Sequence, residues 1–466
     1  MQRPLDVASV IDARPMTAYQ WGIVATCTLA MAVDGFDAQS IGYVAPMLVK
    51  DLGFSRAMLG PVFTAGVLGM GIGNLLLGLV SDKVGRRPVL IASLVAFGLL
   101  NLLKSTASSL EMLIVLQFAA GVGIGGAYPN AIALTSEYVP SHRRSVLVTL
   151  CAMGYLAGTT LGGFLAATML PVFGWQSVFL VGGAIPLAVA LTAAVTVPES
   201  SRQLIALGRS HERVRRILNR IAPDLGLARG ATFLAVGGER SVGSPVRRLF
   251  DDGRAAYTAL IWTTVFMLLV ATYFVFSWLP TLFAAAGMPI GHSVLASTAF
   301  PVGSALSSLM LAPLLRRRWA PLALAGTCAV YAIALALMGW TTHTFSLLVA
   351  VVFFAGVGSG TQGVTHALNV TVYPTLVRST GIGWATGIGR IGSMLGPLMG
   401  GMLVAWQWST IQILYAAAVP CVIAALAMAL IYWNPATRRT LEAAFDYKRQ
   451  STYVTEPTTN EFVDRT

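Results

Sequence analysis

Runs of roughly 20 or more apolar residues, parted by short breaks that carry charges, prolines and glycines, recur from end to end of the chain. Each is long enough for a helix to cross the hydrocarbon core of a bilayer. Twelve can be set out, at 18–48, 57–80, 88–107, 111–134, 145–170, 176–197, 255–284, 292–315, 320–341, 345–372, 380–405 and 409–433. The stretches 145–198, 255–315, 319–377 and 391–437 contain no Asp, Glu, Lys or Arg, and each holds two runs joined by a short apolar turn. Backbone polar groups in lipid must be satisfied within their own segment, so such stretches fit only hairpins of membrane helices. The pattern predicts an all-α polytopic membrane protein with twelve transmembrane helices.

Composition narrows the options further. Of the 466 residues 56% are hydrophobic and 11% charged, which excludes a soluble globule and a disordered chain alike. The 31 Lys+Arg against 19 Asp+Glu give a net charge of +12, which in a soluble protein points to nucleic acid. Placement says otherwise. With the amino terminus inside, 27 of the 31 cations fall on one side of the membrane, Lys50, Arg56 and Lys104 fall on the other, and Arg390 lies within a span. The positive-inside bias then places both termini in the cytoplasm. The first apolar run is too long for a signal-peptide core and leads directly into the second, so no cleavable leader is expected. Cys27, Cys151, Cys328 and Cys421 sit in apolar runs without a CxxC pair and read as small fillers; no metal site and no cofactor is expected.

The Arg-rich segment 198–254, with a short amphipathic helix expected around Glu212 to Ile221, reads as attracted to anionic lipid rather than to nucleic acid. It divides the chain into a six-helix bundle (1–197), the basic loop (198–254), a second six-helix bundle (255–433) and a cytoplasmic tail (434–466). The halves repeat. At an offset of 235, Gly121, Val122, Gly123 and Gly125 meet Gly356, Val357, Gly358 and Gly360, while Tyr138 meets Tyr373, Arg143 meets Arg378 and Gly154 meets Gly389. Same-sense repeats of six spans are the parallel pseudo-repeat of the major facilitator fold, in which substrate sits near the midplane between the halves.

Four groups of residues carry candidate chemistry. GLVSDKVGRRP, Gly78 to Pro88, places an acid at a helix end, a glycine at the turn and two cations after it. Asp82 is expected to accept from a neighbouring helix N-terminus, and Arg86 and Arg87 to pair with acids in the cytoplasmic mouth; a solvated turn is the plain alternative. DGFD puts Asp34 and Asp37 near the middle of span one, on one face at i, i+3. A charge there costs at least about 2.5 kcal/mol, so both are candidates to take up and release protons, unless a wide aqueous vestibule bathes them. Span eleven holds Arg390 without an acid in the same helix. Its planar fork suits an organic carboxylate, or a structural ion pair with Asp34 or Asp37. In span ten Gln362, Thr365, His366 and Asn369 form one polar stripe expected to face the pathway, with Asn130 the repeat counterpart of Thr365. His366 is either a proton relay or a packing histidine. Tyr128, Tyr273, Trp278 and Trp384 are candidates to stack on a substrate ring, against an ordinary packing role. Gly154, Gly158 and Gly162, and Gly392, Gly396 and Gly400, allow close helix approach; the second set, within GxxxGPxxGG, is also similar to an antiporter signature.

DGFD, GLVSDKVGRRP, GVGIGGAYPNAIALTSEY in span four and YPTLVRSTGIGWATGIGRIGSMLGP in span eleven together resemble the aromatic acid:proton symporter family of the major facilitator superfamily, as does PESSR (Pro198 to Arg202) after span six. The resemblance covers nearly the whole chain. It implies proton-coupled import of aromatic carboxylates such as 4-hydroxybenzoate, protocatechuate, benzoate or gentisate across a bacterial inner membrane, by a monomer. It assigns Asp34 and Asp37 to proton coupling, Arg390 to the substrate carboxylate, and Gly78, Asp82 and Gly85 to the gate, where Arg86, Arg87, Glu137, Arg143 and Arg378 are also placed. The chain departs from the pattern twice. Gln117 stands in span four where relatives commonly have Arg, and the loop Ala312 to Pro321 keeps its cations but lacks the usual acid. The main rival is a proton-linked efflux antiporter of lipophilic or other organic compounds. An enzyme is not expected, since no HExxH, Ser-His-Asp setting or P-loop is present, and a receptor signalling through the Arg-rich loop is a further alternative.

Overall fold

The computed structural model describes residues 5–206, 211–227, 232–234, 246–251, 253–311, 313–314 and 317–442. Its helices follow the apolar runs to within a few residues. The first half comprises α1 (Val7–Asp12), α2 (Ala18–Leu52), α3 (Leu59–Val84), α4 (Arg86–Lys104), α5 (Leu110–Tyr138), α6 (Ser141–Phe173) and α7 (Trp175–Thr196). The short α8 (Ser201–Ala206) and α9 (His211–Ile221) follow. The second half comprises α10 (Ala255–Ala285), α11 (Ile290–Ser297), α12 (Ala299–Leu311), α13 (Ala320–Met338), α14 (Phe345–Ser359), α15 (Thr361–Val372), α16 (Thr375–Ala405) and α17 (Thr410–Trp433). Among the described residues eleven stretches are long and apolar enough to cross a membrane, with α11–α12 and α14–α15 counting as one each. The 35-residue α2 is the twelfth span, less apolar because Asp34, Asp37 and their polar neighbours interrupt it.

Local sequence explains where these helices begin and break. Thr17 with Gln20, and Ser409 with Gln412, form reciprocal caps at the starts of α2 and α17. Spans eight and ten, expected to be continuous, are each interrupted. At Thr298 the backbone N–H is shared between the carbonyls of Val294 and Leu295, a tightened turn, and Pro301 just beyond has no N–H to continue the ladder. The second break falls at Gly360, in a glycine-rich run of low helix propensity.

The repeat is visible in the packing. A Cβ on Gly121 would strike the Gly66 carbonyl of α3, and one on its repeat partner Gly356 would strike the Phe300 carbonyl of α12. Lipid gives helices no hydrophobic reason to associate, so such close backbone approach supplies the van der Waals contact that holds each half together. The halves themselves meet toward the end remote from the termini. There a methyl on Gly60 of α3 would lie 3.1 Å from the Gly401 Cα of α16, and Gln39 of α2 donates to the Phe276 carbonyl of α10.

At the opposite end segments outside the spans pack together. Residues Leu5–Asp6 (β1) pair in parallel with Phe233–Leu234 (β2), and α9 buries Val214, Leu218 and Ile221 in a cluster with Val7, Val10 and Ile11 of α1. Arg14 meets Asp224 at 2.7 Å, and this hydrogen-bonded pairing holds the Asp224 carboxyl below the usual carboxylate range.

Candidate functional site

The DGFD turn of α2 is pressed against α6. The Tyr155 carbonyl lies where a side chain on Gly35 would begin, and the Thr159 hydroxyl donates to the Gly35 carbonyl at 3.2 Å. Asp34 and Asp37, 2% and 1% exposed, are thereby sealed at mid-helix. Three residues of helix leave them roughly 60° apart around the axis, and their surroundings differ. Asp37 looks at α4: Asn101 donates to its Oδ1, and Lys104 Nζ lies 3.9 Å from the same oxygen. Lys104 has no exposed surface; it donates to Gln117 Oε1 on α5 at 2.8 Å and stands over the Phe179 ring at 5.3 Å. Asp34 Oδ1 has no hydrogen-bond partner, and the charges of Asp37 and of Arg390, from α16 in the other half, both act on it. Arg390 itself is half-buried and makes no contact ion pair among the described residues.

A cleft opens between the halves beside these groups. Ala38 of α2, Gly66 of α3, Gln117 of α5 and Tyr155 of α6 line it from one side, Tyr273 of α10 from the other. Tyr128 is 42% exposed and lies edge-on to Tyr155, with ring centroids 6.5 Å apart. The charges of Asp34 and Arg390 act on the phenols of both, as does Tyr273. Tyr155 and Tyr273, one from each half, thus line the cleft, with Tyr128 edge-on to Tyr155 and the charges of Asp34 and Arg390 close enough to act on Tyr128 and Tyr155. A guanidinium can take a carboxylate in a bidentate grip, and edge-on rings suit a flat aromatic body.

The model of the Major Facilitator Superfamily matches residues 27–363 and 295–454. The chain belongs to the Major Facilitator Superfamily. It is 37% identical to the 4-hydroxybenzoate transporter PcaK of Pseudomonas aeruginosa, over 91% of this chain and 95% of that one. It is 36% identical to the gallate transporter of Pseudomonas putida, over 86% and 89%. The crystal structure of a D-xylose-proton symporter superposes with a TM-score of 0.66 at 18% identity, covering 90% of this chain and 99% of that one, a likeness of fold. The chain is thus a multi-pass membrane protein among transporters.

The second-loop signature of this superfamily member is built differently from the expectation. Asp82 is exposed and caps no helix in this structure. The N-terminus of α4 is capped instead by Glu199 of PESSR, whose Oε1 accepts from the backbone N–H of Arg86 at 3.0 Å and of Arg87 at 3.2 Å. A carboxylate from a segment distant in sequence takes the positive helix end that Asp82, in the last turn of α3, leaves uncapped. Gly85 sits at φ +133°, a backbone state that suits glycine, and a side chain there would strike Glu199; at Gly78, by contrast, a Cβ meets open space. Arg86 pairs with the buried Glu137 of α5, and Arg87 donates to the Ala194 carbonyl. The Tyr138 hydroxyl donates to the Glu199 carbonyl, and Gln203 donates to the Ser81 carbonyl at 2.6 Å. Arg143 is exposed, and its repeat partner Arg378 donates to the Tyr373 carbonyl at 3.3 Å.

Several expected pathway residues lie elsewhere. Trp278 is fully buried where the halves meet, edge-on to Phe63 at 5.4 Å and donating to the Pro397 carbonyl at 2.9 Å. Trp384 is 46% exposed and stacks on Trp262 with centroids 6.0 Å apart. Of the span-ten stripe, Thr365 and Asn369 are buried within the second half, where α15 packs against α10, α12 and α16. Thr365 bonds the Thr361 carbonyl of its own helix, and Asn369 accepts from Tyr257 at 3.1 Å. Gln362 is half-buried, and the side chain of His366 lies outside the described ones. Asn130 is buried and donates back to Gly126 at 2.8 Å. Gly392, Gly396 and Gly400 pack α16 closely on α10, a structural role for the GxxxGPxxGG pattern. Sequence reading missed Lys104, Glu199 and Tyr155. The missing cation at Gln117 and the acid within PESSR were the signals for the first two.

Proposed function

We propose that this superfamily member imports aromatic carboxylates of the 4-hydroxybenzoate or gallate type together with protons, by alternating access. One observation carries the proposal: the cleft between the halves is lined by Tyr155 and Tyr273, Tyr128 lies edge-on to Tyr155, and Asp34 and Arg390 lie close enough for their charges to act on Tyr128 and Tyr155. In this reading Arg390 takes the substrate carboxylate, the phenols flank the ring, and Asp34 competes with the substrate for the guanidinium. Protonating Asp34 frees Arg390 for the anion. Bringing a lone anion into a negative-inside cell works against about 2.3 kcal/mol per 100 mV, and a proton carried with it removes that term. The bundles 1–197 and 255–433 rock about this site, with both termini in the cytoplasm of a bacterial inner membrane and the monomer as the working unit. The contacts of Gly60 with Gly401 and of Phe63 with Trp278 then close the outer side, consistent with an inward-facing state.

The test is accumulation of labelled 4-hydroxybenzoate in vesicles under an imposed pH gradient, challenged with a panel of aromatic acids and resolved by direction. Inward, gradient-driven uptake displaced by aromatic but not aliphatic acids is expected; outward pumping would favour the efflux alternative. Asp34→Asn is expected to abolish accumulation while the protein still inserts, and undiminished accumulation by that variant would defeat the coupling role.

A further inference from the structure

Four buried polar side chains lie between the cleft and the far face of α2. Asp37 Oδ1 is engaged by Asn101 and by Lys104, whereas Asp37 Oδ2 is buried without a partner. Lys104 divides itself between Asp37 at 3.9 Å and Gln117 Oε1 at 2.8 Å, so its ammonium is bonded to the amide and only near the acid. Gln117 in turn lines the cleft. Its side chain is accommodated by Gly66, where a Cβ would lie 2.6 Å from Gln117 Nε2. A fully buried lysine is costly and needs a counter-charge. Here that charge is an acid with one oxygen left free to receive a proton.

We propose that Lys104 is a positioning residue for transport, the counter-ion of Asp37 whose charge is released toward the cleft through Gln117 when Asp37 Oδ2 takes a proton. This deepens the proposed function and rests on it. The charge balance is simple. With Asp37 ionised, Asp37 and Lys104 sum to zero; adding one proton to Oδ2 leaves the ammonium unbalanced, so the cluster carries +1. An aromatic carboxylate in the cleft restores neutrality beside Gln117. Proton and anion therefore favour each other, and the linkage is reciprocal. It also resolves the missing span-four cation: the positive charge comes from α4, and Gln117 holds it. The charged and titratable groups facing the cluster are Asp34 and Asp37 of α2, Lys104 of α4 and Tyr155 of α6, with Arg390 of α16 acting on Asp34; α5 contributes the neutral Gln117 and α7 the ring of Phe179.

The experiment compares two readouts in proteoliposomes, pH-gradient-driven accumulation of labelled 4-hydroxybenzoate and its gradient-independent counterflow. Lys104→Gln should lower accumulation at least about tenfold while counterflow persists, because a buried acid deprived of its cation keeps its proton. Lys104→Gln with Asp37→Asn should be no worse than either alone, the mark of two residues acting as one unit. Lys104→Gln with Gln117→Arg, which returns the cation from α5, should recover accumulation, while Lys50→Gln, an exposed control, should leave both readouts unchanged. Full accumulation by the Lys104→Gln, Asp37→Asn pair would overturn the proposal, since the two would then be mere packing. Equal loss of accumulation and counterflow in Lys104→Gln, matched by loss of folded protein in detergent and not relieved by Asp37→Asn, would overturn it as well. Wild-type vesicles that accumulate no aromatic acid would instead bring down the proposed function, and this proposal with it.

Discussion

At the scale of single residues, the charges buried in helices decide the chemistry, and they were unequally legible. Arg390→Lys should raise the half-saturating concentration of the aromatic acid about tenfold, because an ammonium is a point charge and cannot reproduce the two parallel bonds of a guanidinium. Uptake kinetics in vesicles check this, and an unchanged half-saturation would argue against direct contact with the carboxylate. Asp34, Asp37 and Arg390 could be picked from the sequence because an ionisable group inside an apolar run stands out against its cost. Lys104 could not. It lies at the last position of α4, where a lysine ordinarily reaches the membrane surface, and only the fold shows it turned inward to Asp37 and Gln117. Asn369 shows the opposite error: a polar stripe was legible, but a stripe does not say which neighbour it faces, and here it faces Tyr257.

At the scale of elements, length and apolar content fixed the helices, while their joints depended on contacts distant in sequence. Glu199 is more than 110 residues from the helix end it caps. Glu199→Ala should cost about 1–2 kcal/mol by removing a capped, charge-favoured helix start, seen as a lower thermal midpoint in detergent. Glu199→Gln, which keeps an accepting oxygen, should lose less, and Asp82→Asn, exposed in this structure, should leave the midpoint where it was. Equal effects of Glu199→Ala and Asp82→Asn would mean that the two acids share the cap. The breaks at Thr298 and Gly360 were hidden for a related reason. Both fall inside runs that hold no Asp, Glu, Lys or Arg, so charge carries no mark of them, and a proline or a glycine-rich stretch is no sure mark either, since α5 and α16 contain both and continue unbroken.

At the scale of the whole molecule, the offset of 235 residues foretold two like halves, but not how they lean on each other. Their meeting is made of glycine against glycine at Gly60 and Gly401, and of Trp278 set edge-on to Phe63. Cysteines placed at 60 and 401 should cross-link under mild oxidation and stop uptake until reduced, the four native cysteines being buried and free. Failure to cross-link in active vesicles would show that the halves stand apart there during the cycle. The bond from Gln203 to Ser81, and those from Tyr138 and Arg86 to Glu199, carry a different consequence. A ribosome that has delivered the sixth crossing has not yet delivered the piece that fastens the turn between the second and third. The first half becomes a finished body only when residues 199–203 have followed it out of the exit tunnel.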